Sequence, residues 1–347
     1  MDNVIREFIL NNIAEHPNDI ATFTANEFKL SRQTIVNYLT KLIDEGLITA
    51  TGKTRSRKYE MINLIEKQFL KNVTLGLQED VLWREDIFPY VKDLNPNVLD
   101  ICQYGFTEIM RNVFDHSESN SVFYSIIRNA INIELCILDS GIGIFNKIQR
   151  DFNLNDPRHA LLELTKGKLT SDPQHHSGEG IFFTSRMFDS FSILSNPLHY
   201  IRLSKEDSDW LVESRDSTQD GTMVIMEISL NSKRTIQQVF DEYAPEKGDF
   251  GFTKTHIPIE LARYKGEQLV SRSQAKRLLA RFEQFQEVLL DFEGIEMIGQ
   301  AFADEIFRVY RLEHPEVKMI WINETPEINK MIQRALINLG NYDNKSN

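Results

Sequence analysis

Glu108, Asn112 and His116 recur at four-residue steps in EIMRNVFDH, so on a helix they share one face. That pairing of a carboxylate with a carboxamide suits chemistry on phosphate. The carboxylate can orient or deprotonate an attacking hydroxyl or water. The amide carbonyl can hold Mg2+, which takes few protein ligands and shares phosphate oxygens. Asp139 ends the apolar run ELCIL and opens DSGIG. An aspartate there can accept from an exocyclic amino group, while Gly141 and Gly143 allow positive φ and a close backbone approach. Ser177-Gly178-Glu179-Gly180-Ile181 leads into the helical pattern FFTSRMF, and glycines that open a helix expose N–H groups suited to phosphate. Asp220-Gly221-Thr222 precedes the apolar run MVIMEI. Each motif alone also has an ordinary reading, as a solvated helix face, a strand-to-turn exit or a lone pair of glycines.

Their order carries more than any one of them. Together the motifs resemble the nucleotide pocket of the GHKL ATPase/kinase superfamily, the Bergerat fold. The resemblance implies ATP and Mg2+ as cofactors, Glu108 as the catalytic base and Asn112 as the Mg2+ ligand. It places Asp139 on the adenine amino group, Gly141 and Gly143 beneath the base, Gly178 and Gly180 near phosphate, and Thr222 at the border of the adenine pocket. His116 stands where anti-sigma-factor kinases of this superfamily also tend to have His, which implies a structural or phosphate-adjacent role.

Elements must position these residues. The spacing predicts a long helix over Val98–Ser117 and strands over Ser121–Ile127, Ile131–Leu138, Phe191–Leu194 and Thr222–Leu230. Residues 146–177 form a long connection with one internal helix near Pro157–Lys166, and so long a loop in a compact domain is usually functional. Its Arg158, Lys166 and Lys168 are expected on a solvated surface rather than on phosphate. His175-His176 is not expected to bind metal, because adjacent side chains seldom converge on one ion.

Three domains are expected in an α+β multidomain chain: residues 1–62, then a helical connector over 63–90, a Bergerat-fold α/β sandwich over 91–232, a polar linker over 233–250, and a small α/β unit over 251–340. The first, with helices and a basic hairpin, resembles a winged helix-turn-helix. Its DNA-contact candidates are Arg32, Gln33, Thr34 and Asn37 on the helix begun by Ser31, and Lys53, Arg55, Arg57 and Lys58 on the wing. The last unit, through SRSQAKRLLARFEQFQEVLLDFEGIEMIGQAFADEIFRVY, resembles STAS-like domains, relatives of anti-sigma-factor antagonists. In those a Ser or Thr after the central strand accepts phosphate. Here Gly294–Ala301 holds no hydroxyl residue, and Ser271 and Ser273 lie one helix away.

The bulk composition bounds the function. Net charge is −12, which argues against broad nucleic-acid binding, but residues 1–62 carry eight Lys/Arg and eight Asp/Glu, so the whole deficit lies beyond them. Two cysteines, Cys102 and Cys136, are too few for a disulfide framework. With no apolar run near the ~20 residues of a membrane span and no signal-peptide pattern, a cytosolic protein without a membrane partner is expected. Residues 63–107 contain no His, which excludes a sensor histidine kinase with its phosphoacceptor there. The leading expectation is a nucleotide-gated, DNA-associated regulator whose STAS-like domain docks in cis or on a partner protein. The alternatives are an anti-sigma-type protein kinase and an interaction scaffold with a degenerate pocket; a homodimer is left open.

Overall fold

The computed structural model describes residues 2–53, 56–154, 156–169, 178–204, 208–213, 220–244, 252–263 and 267–343, the side chains of 208, 213 and 338–343 excepted. Arg55, His175 and His176 lie outside the described residues. The chain is mixed α+β with several sheets.

Three helices, α1 (Asp2–Asn12), α2 (Ile20–Phe28) and α3 (Arg32–Asp44), precede an antiparallel hairpin of β1 (Ile48–Thr51) and β2 (Lys58–Met61). Apolar residues at helical spacing, among them Ile5, Ile9, Ile35, Leu39 and Leu42, bury against one another and against Ile48 and Tyr59 in a core of their own. Ser31 caps α3 by accepting from the Thr34 amide at 3.0 Å.

The stretch 63–90 is not the helical connector expected. It begins with strand β3 (Ile65–Asn72), paired antiparallel with β4 (Ser121–Arg128). An edge strand is bonded on one side and largely exposed, so IEKQFLKN lacks a clean apolar alternation to reveal it. A short α4 (Glu79–Leu82) and tighter and wider turns to Tyr90 lead to α5 (Pro96–His116), with Pro96 at its first position. After β4 come β5 (Asn132–Asp139), α6 (Ile144–Asp151), α7 (Pro157–Lys166), α8 (Gly180–Met187), β6 (Ser190–Ser195), β7 (Leu198–Leu203), β8 (Ser208–Glu213) and β9 (Met223–Ser229).

These strands form one seven-stranded sheet in the order β3-β4-β5-β9-β6-β7-β8, antiparallel at every pairing. Alternation sends Tyr124, Ile137, Ile193 and Met226 to the face covered by α5 and α8, where they are buried. The intervening side chains on β5, β6 and β9 are half-buried on the other face. Residues 233–250, expected as a linker, contain α9 (Ile236–Tyr243). Its signal is a capping box, Thr235 with Gln238, followed by Ile236, Val239, Phe240 and Tyr243 at helical spacing.

The chain ends in β10 (Lys254–Pro258), α10 (Arg272–Leu279), β11 (Glu287–Asp291), α11 (Gln300–Asp304), a π-helical stretch to Tyr310 running into α12 (Arg311–Glu313), β12 (Lys318–Ile322) and α13 (Pro326–Asp343). Its three strands are parallel in the order β10-β11-β12, as alternation of strand and helix requires. The core of this unit is continuous with that of the seven-stranded sheet, α7 lying against β10 and the Ile259–Ala262 turn.

Candidate functional site

A cavity of about 500 Å3 opens between α5, α6, the α8 N-terminus and the ends of β5 and β9, within the range of small-molecule sites. Glu108, Asn112 and His116 line it from α5, as their spacing predicts. Asp139 and Gly143 enter from the β5 end, Gly178 and Gly180 from the segment before and at the start of α8, and Thr222 from the start of β9. Four separated segments thus meet in one hollow.

The β5 and β9 ends are tied to each other. The Asp139 amide donates to the Thr222 carbonyl at 3.0 Å, and the Ile144 amide to the Thr222 hydroxyl oxygen at 2.9 Å. Asp139 is 4 % exposed, and its Oδ1 accepts from the Gly141 amide at 2.8 Å. Burial pushes this carboxyl above its ordinary range, and hydrogen bonds from Gly141 and Thr222 oppose the shift only in part. A buried acceptor facing a cavity, with its backbone partners already assigned, is suited to one specific donor on a ligand.

Gly141 does not line the cavity. The Cβ it lacks would stand 1.8 Å from the Ser117 carbonyl oxygen, so glycine is needed here for the turn to pass the end of α5. Its φ is not positive, whereas Gly143 has φ 85° and joins the cavity wall. A Cβ on Gly180 would sit 2.2 Å from Glu108 Oε2: the α8 N-terminus rests on that carboxylate, where the positive end of a helix favours negative charge. Arg111 Nη1 lies 3.3 Å from Glu108 Oε1 and the same guanidinium bonds Glu79 at 2.9 Å, steadying the open side.

Other wall residues carried no motif. Lys147 and Asp151 of α6 face the cavity and pair with each other; the Lys-x-x-x-Asp spacing was the signal available. Tyr104, Phe152 and Phe240 add aromatic wall. No group of three or more His, Cys, Asp or Glu among the described residues could hold a metal by itself. Asn112 would supply a single protein oxygen, which fits an ion bound chiefly by phosphate and water.

The other candidates lie elsewhere. Arg32, Gln33 and Asn37 are exposed along α3 and Thr34 is partly so. Lys53, Arg57 and Lys58 are exposed on the β1–β2 hairpin, Lys58 pairing with Glu60 at 2.5 Å and Arg57 lying over the Tyr59 ring.

Residues 274–329 match the family described as a STAS-like domain of unknown function (DUF4325). No curated protein matches the chain. Within the STAS-like domain, Gly299 occupies the turn before α11; its amide donates to the Leu269 carbonyl at 2.8 Å, and a Cβ there would meet Val270 Cα at 2.6 Å. Ser271 caps α10, its hydroxyl oxygen accepting from the Gln274 backbone amide at 3.2 Å.

The STAS-like domain holds the segment that walls the cavity. Leu164 and Leu169 line it, while Glu163 and residues 166–168 bond outward. Arg281 Nε reaches Glu163 Oε2 at 2.7 Å, and its Nη atoms donate to the carbonyls of Glu163 (3.0 Å), Gly167 (3.1 Å) and Lys168 (3.0 Å). Lys166, with no exposed surface, donates to Glu163 Oε1 at 2.6 Å and to the Ala280 carbonyl at 2.8 Å. Lys168 donates to the Gln284 carbonyl at 2.8 Å and lies 5.0 Å from the centroid of the Phe285 ring. Thr255 bonds the Lys166 carbonyl at 2.8 Å. The expectation of solvated lysines at 166 and 168 is therefore corrected: both are anchors of an inter-unit clamp. Arg281 and Lys168 adopt left-handed backbone, φ 65° and 54°, a conformation that costs about 1 kcal/mol for such residues and so needs the surrounding contacts.

Proposed function

We propose that this protein binds ATP with Mg2+ in the α5–α8 cavity, and that occupancy of the cavity controls how the STAS-like domain is held. The carrying observation is the convergence of Glu108, Asn112, Asp139, Gly180 and Thr222 on one hollow from four stretches of chain. In this reading the Asp139 carboxylate accepts from the adenine amino group and Thr222 and Ile144 border the base. Bound Mg2+ supplies charge neutralisation on the phosphates, with Asn112 as its protein ligand. Glu108 orients or deprotonates the attacking hydroxyl or water. The α8 amides after Gly178 face the phosphate end, and Lys147 offers a cation whose partner, Asp151, must yield it.

Gating follows from the clamp. Leu164 and Leu169 border the nucleotide while Glu163, Lys166 and Lys168 are fastened to the STAS-like domain. A ligand that binds one arrangement better than another shifts the population between them. The output in this reading is DNA association through the N-terminal helices and hairpin, a winged helix-turn-helix in outline, with Arg32, Gln33, Thr34 and Asn37 toward bases and Lys53, Arg57 and Lys58 toward phosphates. Arg55 is part of the same wing by sequence. A regulatory protein captured by the STAS-like domain is the alternative output.

Thermal unfolding with ATP and Mg2+ tests the pocket. A ligand at 100 times its dissociation constant adds roughly 2.7 kcal/mol, so the native midpoint should rise and that of Asp139→Asn should not. No rise in the native protein removes the nucleotide reading and leaves an interaction scaffold. Limited proteolysis within residues 146–177 tests the gating: cleavage unchanged by saturating ATP and Mg2+ sinks it.

A second reading, an anti-sigma-type protein kinase acting on a separate antagonist, is favoured by Glu108 at the mouth of α8. Transfer of labelled phosphate to a partner protein supports it; hydrolysis alone supports the gated regulator.

A further inference from the structure

The seven-stranded sheet carries a row of apolar side chains on the face turned away from α5. Leu70 stands opposite Phe123, Phe123 opposite Leu138, Leu138 opposite Met223, and Met223 opposite Leu194. The row continues through His199 to Val212 on the far edge. None of the six apolar members belongs to either hydrophobic core. Leu70 is 71 % and Val212 52 % exposed. The adjacent row adds Cys136, Ile225, Ile201 and Trp210, the last 55 % exposed, with Gln68, Ser125 and Ser192 in the same register. At strand spacings of ~4.8 Å and a two-residue repeat of ~7 Å, the two rows form a band of roughly 30 by 14 Å. Its plan area, about 420 Å2, is roughly half of the ~800 Å2 per partner of a standard interface, and it is contiguous where ordinary surface hydrophobics are scattered singly.

Charge narrows the occupant. The third row holds Glu66, Glu134 and Glu227 in register with Ile127 between the first two. Among the described residues the strands place no Lys or Arg on this face. Acidic lipid or nucleic acid would meet carboxylates alone. A flat apolar antiparallel sheet fits another such sheet, packed ~10 Å away, and a second copy of this chain supplies one. A two-fold axis parallel to the rows and midway between the two lays each on the other and sends the two acidic rows to opposite edges. An axis along the strands would instead stack acid on acid. The geometry points to a homodimer formed face to face by these two sheets, with its axis between the Leu138–Met223 and Cys136–Ile225 rows. This holds whether or not the cavity takes nucleotide.

Analytical ultracentrifugation of the full chain from micromolar to submillimolar concentration tests it. The native protein sediments as a dimer. Phe123→Glu with Leu194→Glu weakens that dimer by at least about a hundredfold, because each carboxylate is buried without a partner. Leu312→Glu, exposed in the STAS-like domain, leaves it intact. A second measurement does not depend on folding of the double variant: Leu194→Cys in a Cys136→Ser background, with Cys102 fully buried, is joined to its copy by a short bismaleimide. A native protein that stays monomeric overturns the proposal, including one that instead co-floats with neutral phosphatidylcholine vesicles. So does a dimer that survives both glutamates, or one that gives no Leu194→Cys cross-link.

Discussion

Two polar clusters lie within one helix-length of each other and behave differently. Around the cavity, Glu108, Asn112, His116 and Asp139 line an open volume of about 500 Å3. In the clamp, Glu163 pairs with both Lys166 and Arg281, these two also donate to backbone carbonyls, and Glu163 and Lys166 are buried while Arg281 is half-buried. Both are rich in charge, and Leu164 and Leu169 of the clamp's segment reach the cavity wall. A buried charged group is costly unless paired and hydrogen-bonded, so the clamp reads as structure: its pairs answer one another. The cavity groups are arranged around a space, which is what a binding site requires. The lesson is that charge and burial alone do not separate function from architecture; whether the groups surround an open volume does.

The contrast is broken most forcefully at Arg281. Arg281→Ala removes four hydrogen bonds while Glu163 keeps Lys166 as its partner, and at about 1 kcal/mol net for each hydrogen bond the loss comes to about 3–5 kcal/mol. Denaturant unfolding should show a loss of that size; a loss under about 1 kcal/mol would mean the clamp is ornamental. In the cavity the same kind of change should act on ligand rather than fold. Asp139→Asn is expected to weaken ATP by about 1.5–3 kcal/mol, the worth of a hydrogen bond to a charged group, with the unliganded midpoint little changed. Titration calorimetry that finds equal affinity removes Asp139 from base recognition.

The clamp also has a pH signature. Burial pushes the Lys166 ammonium down to about 8 from its ordinary 10.5, against the pull of Glu163. Between these values the unfolded chain holds more protons than the fold, so raising the pH across this window stabilises the fold, by up to about 1.4 kcal/mol per unit from this group. Lys166→Met should flatten that rise; an unchanged slope assigns it elsewhere. The smallest effect is far from both clusters. Ser31→Ala removes the α3 cap and should cost the N-terminal unit about 1 kcal/mol, with nucleotide affinity unchanged. A fall in affinity there would show that the N-terminal unit and the cavity are coupled energetically.

Some of this was legible in the chain and some was not. The i, i+4, i+8 run on α5 and the glycines at 143, 178 and 180 converge as their spacing suggested, because one helix face and one turn are local matters. Gly141 sits in the same motif but serves the turn past Ser117, a distinction made by a carbonyl more than twenty positions away. Strands β7 and β8 and edge strand β3 escaped notice, their polar residues masking a period of two that only pairing discloses. Helix α9 was hidden inside a polar stretch despite its capping box.

The sequence by itself determined the helical faces, the caps, the order of the phosphate-suited motifs, and the alternation of strand and helix toward the C-terminus. Those follow from backbone propensity and from periods of 3.6 and 2, which act over a few residues. Tertiary structure alone decided that Lys166 and Lys168 turn away from the cavity to Ala280 and Gln284, that Arg281 closes the end of α7, and that Leu70, Trp210 and Val212 of the large sheet stay exposed. The reason is that a charged side chain has no preferred partner in the one-dimensional chain. Its partner is whichever complementary group the packing of distant elements brings within about 3 Å, once water has been excluded.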